Sequence, residues 1–255
     1  MATDFSHAMS RRPPTAWARI TLAALACFCI PAFAASLQVA PTLVELAASE
    51  RGEAVWLTNT AADTPTRAQV RLFRWTQKNG EDILEPTSDL AISPPLTELA
   101  GGAQQLVRVI RTGPPPTGAE ASYRIIVDEV PRAESSDQTG LNFLLRYSIP
   151  VFVLPVTEAP IGYDLAPRLE STGEQVMLVV TNRGLQHAQI ADLSYVDRSG
   201  ARHELMSGLV GYVLPGQTMR WSLPSAGRDY SGGSFKARIN GEAVEQTLKL
   251  HPASG

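Results

Sequence analysis

Apolar and polar residues alternate over short stretches of this chain, and no stretch shows the three-to-four-residue spacing of an amphipathic helix. Leu37–Val44, Ala54–Thr58, Ala68–Trp75, Gln105–Ile110, Ser122–Val130 and Leu141–Val153 are rich in β-branched and aromatic residues, which predicts strands. Turn residues punctuate them at Asn79-Gly80, Gly101-Gly102 and Gly113-Pro114-Pro115-Pro116. A second series follows at Gln175–Thr181, Ala188–Val196, Gly211–Leu214, Met219–Leu223, Phe235–Ile239 and Val244–Leu250. Between the two series, Pro155 and Pro160 stop a strand and stiffen the connection. The pattern predicts an all-β protein of two immunoglobulin-like sandwiches, residues 35–156 and 157–255.

One strand is unusual. In Leu141–Val153, one face carries Leu141, Phe143, Leu145, Tyr147, Ile149 and Val151, and the other Asn142, Leu144, Arg146, Ser148, Pro150 and Phe152. Proline cannot donate to a sheet ladder, so Pro150 points to an edge strand or a bulge. A long apolar edge is an aggregation liability unless something is meant to pair with it. A covered sandwich strand is the plainer reading of the same residues.

The first 34 residues change the picture of where the chain goes. Arg11, Arg12 and Arg19 precede or open the apolar run Ile20–Phe33, and Ala32-Phe33-Ala34 is a small-x-small cleavage site, the layout of a secretory signal peptide. Cleavage is expected after Ala34 or Ala35. Pro13 and Pro14 follow the arginine pair where a twin-arginine signal would carry an apolar residue. The remainder, roughly 220 residues, suits two domains of about a hundred each.

Both cysteines, Cys27 and Cys29, lie in the segment to be removed. The mature chain would then have neither disulfides nor thiol chemistry. Taking three arginines and Asp4 from 22 basic and 25 acidic residues leaves 19 against 24, a net charge of −5. That balance does not favour nucleic acid, whose backbone calls for a concentrated basic surface.

Catalytic chemistry is hard to assemble from what remains. His203-Glu204 opens like a zinc-protease helix, but the second histidine is missing and the surrounding pattern is not helical. No G-x-S-x-G elbow is present. Trp56, Trp75 and Trp221 fall within strand patterns and are expected in cores. The inventory predicts no enzyme, no metal, no cofactor and no small-molecule substrate.

Several runs, in their order and spacing, resemble a known family. These are Tyr123-Arg124-Ile125-Ile126-Val127-Asp128-Glu129-Val130-Pro131, the strand ending Arg146-Tyr147-Ser148-Ile149-Pro150-Val151-Phe152, and Arg228-Asp229-Tyr230-Ser231-Gly232-Gly233. Together with the signal peptide they resemble the periplasmic pilus-assembly chaperones of the chaperone-usher family, closest to the archaic, spore-coat-U-associated subclass. The resemblance covers essentially the whole mature chain. It implies two sandwiches in an L-shaped arrangement and a periplasmic location. It also implies donor-strand complementation, in which the chaperone lends a strand to a pilin-like subunit and passes it to an outer-membrane usher.

The resemblance places Leu141, Phe143, Leu145, Tyr147 and Ile149 on the lent strand. The subunit's terminal carboxylate is expected to be anchored by a basic residue. The familiar lysine position holds Pro150, and the first strand, Leu37–Leu46, has no basic residue, so Arg124 and Arg146 are the candidate substitutes. Arg108, Glu120 and Asp229 align with an ion-pair network joining the domains. Self-association could hide the strand in the free protein. The alternative reading is a secreted pilus subunit or adhesin, for which a single domain with an N-terminal donor extension would be expected.

Overall fold

In the computed structural model, residues 37–131, 144–173, 175–224, 230 and 232–251 are described, and every regular element among them is a strand. The first series comprises β1 (Leu37–Ala40), β2 (Val44–Leu46), β3 (Gly52–Asn59), β4 (Thr66–Lys78), β5 (Glu81–Pro86), β6 (Leu90–Ser93), β7 (Leu96–Leu99), β8 (Gln104–Arg111), β9 (Ala121–Val130) and β10 (Arg146–Val153). The second comprises β11 (Leu165–Thr172), β12 (Gln175–Asn182), β13 (Ala188–Val196), β14 (Arg202–Val213), β15 (Thr218–Leu223), β16 (Ser234–Ile239) and β17 (Gln246–Leu248).

Each series forms two sheets. In the first sandwich, one sheet has the order β1-β3-β8-β6; the other runs β2-β10-β9-β4-β5, with β7 also pairing β4. In the second, β11-β12-β15 faces β14-β13-β16-β17. The period-two patterns supply the cores. Leu37, Leu57, Val107, Val109, Ile125, Val127, Ile149 and Val151 close the first core, and Leu178, Ile190, Leu193, Tyr195 and Phe235 the second. Burying side chains of this size contributes roughly 1.5–3 kcal/mol each, and apolar packing is what the described residues offer in place of cross-links.

The expected stretch Leu37–Val44 is two strands. β1 pairs antiparallel with β3 in one sheet, while β2 pairs parallel with β10 in the other. The chain therefore crosses from sheet to sheet at Pro41 and ties the two layers together.

A third, smaller apolar cluster joins the sandwiches. Trp75, Phe152, Tyr212 and Leu214 are buried together, with Leu43 packed against them. Around it, the Gln77 side chain acts as a stitch: its amide donates to the Tyr212 carbonyl and its oxygen accepts from the Leu214 N–H, both at 2.9 Å. Glu120 reaches across as well. Its carboxylate accepts from the backbone N–H of His187 at 2.7 Å and lies 2.9 and 3.1 Å from His187 Nδ1, whose ring stacks on Phe152.

Candidate functional site

The two sides of β10 are paired unequally. On one side β10 pairs antiparallel with β9 over its full length, Arg146 opposite Asp128 through Val153 opposite Ala121. On the other side β2 pairs only with Val151–Val153. Among the described residues, no strand lies along that side of Arg146–Pro150.

The ladder shows which groups are left over. The Glu129 N–H donates to the Leu145 carbonyl at 2.9 Å, so Leu145 and Glu129 form a hydrogen-bonded pair. In an antiparallel ladder such pairs alternate, so Tyr147, Ile149, Val151 and Val153 bond to β9. Leu144, Arg146 and Ser148 then turn their backbone groups toward the open side, and Pro150 turns its carbonyl the same way, toward Val44 at the start of β2. Leu154 follows the same rule, its N–H donating to the Leu46 carbonyl at 2.9 Å. Pro150, with no N–H, falls at an outward position, where it costs the β9 ladder nothing.

Burial along the strand is graded. Ile149, Val151 and Val153 are buried in the first core. Tyr147 is half-buried, and its hydroxyl donates to the Leu37 carbonyl. Leu145 is half-buried, and Leu144 is 49% exposed. The strand thus leaves its own core as it is followed back toward residue 144.

Two arginines near this edge differ in their surroundings. Arg146 pairs with Asp128 on the neighbouring strand, which also binds Arg71. Burial works to raise the Asp128 carboxyl, and hydrogen bonds from Arg146 and Arg71 outweigh it, holding it below the ordinary carboxylate value. Arg124 lies opposite Pro150, one strand in from the open side. Its guanidinium sits 3.7 Å from the Trp75 ring centroid and 5.2 Å from that of Tyr212. Burial pushes its pKa down, with Asp82 and Tyr212 acting against that. No side-chain hydrogen bond or ion pair engages Arg124 among the described residues. A partly desolvated cation held by ring faces, with Asp82 near but not bonded to it, suits an incoming carboxylate.

Residues 36–158 match the family model for the N-terminal domain of the PapD type, described as pili and flagellar-assembly chaperone. The chaperone-tip adhesin complex CsuC-CsuE, from archaic Csu pili of Acinetobacter baumannii, aligns at 25% identity and TM-score 0.68, covering 85% of this chain and 98% of that one. The chain belongs to the pilus-assembly chaperones. The fold is shared by the Salmonella enterica SafB chaperone, in complex with the pilin SafA, at 22% identity and TM-score 0.60, over 86% of this chain and 98% of that one. The E. coli chaperone DraB aligns at 22% identity and TM-score 0.57, over 85% and 97%. A search of curated protein sequences found no match.

Within this chaperone frame, the expected site residues separate. Leu141 and Phe143 lie outside the described residues, as does Asp229. Leu145 and Tyr147 flank the open edge. Ile149 corrects the expectation: at 3% exposure it is sealed in the chaperone's own core, because the strand has entered its sandwich by that point. The interdomain network also differs from expectation. Glu120 is committed to His187, whereas Arg108 is exposed on the outer face of β8, opposite Ala54 and Ser93. Alternation explains this, since Val107 and Val109 take the inward positions on either side of it.

Trp56 is a second correction. It is 44% exposed, on the face of β3 turned away from the core, whereas Trp75 is buried and Trp221 packs against the second core. His203 lies in a strand and bonds Asp197. Among the described residues, no cluster of histidine and carboxylate side chains could hold a metal. Sequence reasoning missed Gln77 and His187 as joining residues. Neither carries a local motif, and both are defined by contacts across more than sixty residues of chain.

Proposed function

We propose that this chaperone captures pilus subunits by lending them the open side of β10, together with the residues that precede it, and delivers them to an outer-membrane usher. The observation that carries the reading is the unpaired side of the strand ahead of Pro150, whose free backbone groups belong to residues 144, 146 and 148. A subunit lacking one strand would pair there through main-chain hydrogen bonds, while Leu141, Phe143 and Leu145 fill its groove. Each such side chain would contribute roughly 1.5–3 kcal/mol, before ordering costs. Tyr147 sits at the transition, shared between the two cores.

Arg124 is the better candidate for holding the subunit's terminal carboxylate. No ion pair ties it to an acid among the described residues, and it lies beside the lent strand where the sandwiches meet, whereas Arg146 is already paired with Asp128. In this reading residues 1–34 are a signal peptide, residues 35–156 the strand-lending domain and 157–255 the second domain. Periplasmic location and membership of the archaic subclass belong to the same proposal. No catalytic step is part of it.

Co-expression with the secreted subunits encoded beside it is the test. A one-to-one complex is expected, lost in Leu145→Glu and weakened in Arg124→Ala but little changed in Arg146→Ala. Polymers of this chain alone would instead favour a structural subunit, and unimpaired capture by Leu145→Glu would overturn the lent strand.

A further inference from the structure

At the end of the first sandwich farthest along β8, the two sheets part around a pocket of about 640 Å³. Arg111 lines it from one sheet, Arg74 and Tyr123 from the other, and the segment Gly113–Pro116 borders it. Both arginines occupy inward-facing positions. Arg111 follows Val107 and Val109 in the β8 alternation, and Arg74 stands opposite Tyr123, a core residue of β9. Two cations on the interior side of opposed sheets are unusual, since charges are rarely buried unless paired.

Their partners do not balance. Arg74 bonds Asp89 and the Tyr123 hydroxyl, and that hydroxyl also bonds Asp89. Burial, aided by Asp89 and opposed by Arg74, pushes the Tyr123 hydroxyl up to about 12, so it remains a neutral donor. Glu120, the other acid on the pocket wall, is bound to His187. Arg111 is left with backbone carbonyls alone: Nη2 donates to Ala48 and Glu50, at 3.0 and 2.8 Å. Its Nε and Nη1 are buried and have no partner among the described residues. The residue is 9% exposed, and a buried cation without counter-charge is costly.

We propose that this pocket binds a small carboxylate, which supplies the counter-charge to Arg111 and bridges the two sheets. A guanidinium matches a carboxylate with parallel donors. Tyr123 and the prolines offer an apolar wall for a short carbon chain. The site is separate from the open side of β10 and does not depend on subunit capture. Its role is to brace the mouth of the sandwich, not to supply a substrate.

The test uses the mature chain and acetate or succinate as probes, against sodium chloride of matched ionic strength. Saturable one-to-one binding by calorimetry is expected, with a rise in thermal midpoint and a saturable shift of the Arg111 Nε–H resonance. Arg111→Gln should weaken binding roughly tenfold or more, a loss of about 1.4 kcal/mol. Should that variant fail to fold, the resonance shift in the unaltered protein and the affinity of Arg74→Gln decide the matter. No saturable shift would mean that water alone fills the pocket, and equal binding by a folded Arg111→Gln would place the carboxylate elsewhere; either result overturns the proposal. Tighter binding of phosphate than of either carboxylate would overturn the assignment of ligand class.

Discussion

The two halves of β10 are one continuous strand with opposite environments. Val151–Val153 is flanked on both sides, by β9 and β2, and its side chains are buried. Arg146–Ser148 has one neighbour, and its side chains are exposed or half-buried. The polypeptide backbone does not distinguish them, since both halves keep the same ladder with β9. What differs is the length of β2, which stops at Val44 and leaves the rest of the edge open. The open edge is thus set by a neighbouring strand that is short, not by any local irregularity.

The sharpest contrast should come from Phe152. It is buried among Trp75, Tyr212 and the His187 ring, and Phe152→Ala is expected to cost roughly 3–5 kcal/mol, read as a fall in denaturation midpoint. An unchanged midpoint would remove the distinction between the halves. In the open half, Leu145→Glu should alter stability by no more than about 0.5 kcal/mol while abolishing recovery of subunit in co-purification.

A subtler test separates the faces of the open half. Asp128 has its carboxyl held below the ordinary value, so the stability it contributes is present above the unfolded value near about 3.9 and is lost as pH falls through the folded one. Asp128→Asn should flatten the acid limb of a stability-versus-pH curve below about pH 4. Because Arg71 and Arg146 are substantially exposed, the effect should be at most about 1 kcal/mol. Arg146→Ala alone should be smaller still, within about 0.5 kcal/mol; a larger loss would show that the open half is held by this pair.

Much of the first sandwich was legible because its strands alternate cleanly. Ala188–Val196 in the second was delimited to the residue, and β9 to within one. The strands between Glu81 and Leu99 were missed, since β5 is exposed on nearly every residue and β6 and β7 have four residues each. Most of β14 was also missed. Its pairing with β13 shifts register three times, and each shift breaks the period on which strand recognition depends. For the candidate site, Pro150 was informative because a missing N–H constrains the ladder directly. Burial was not readable: Ile149 and Leu145 share one face and one chemistry, and the sequence does not mark where one core ends and another could begin.

The same proline has a further consequence. A strand zipped along the open side from Leu144 would find both a hydrogen to accept and an oxygen to offer at Arg146 and again at Ser148. At Pro150 it would find neither, because the ring carries no hydrogen and the oxygen already faces the Val44 N–H, where β2 takes the lane. The ring and the start of β2 would together work as a stop on a ruler, fixing how far any visitor could advance, whatever its own length.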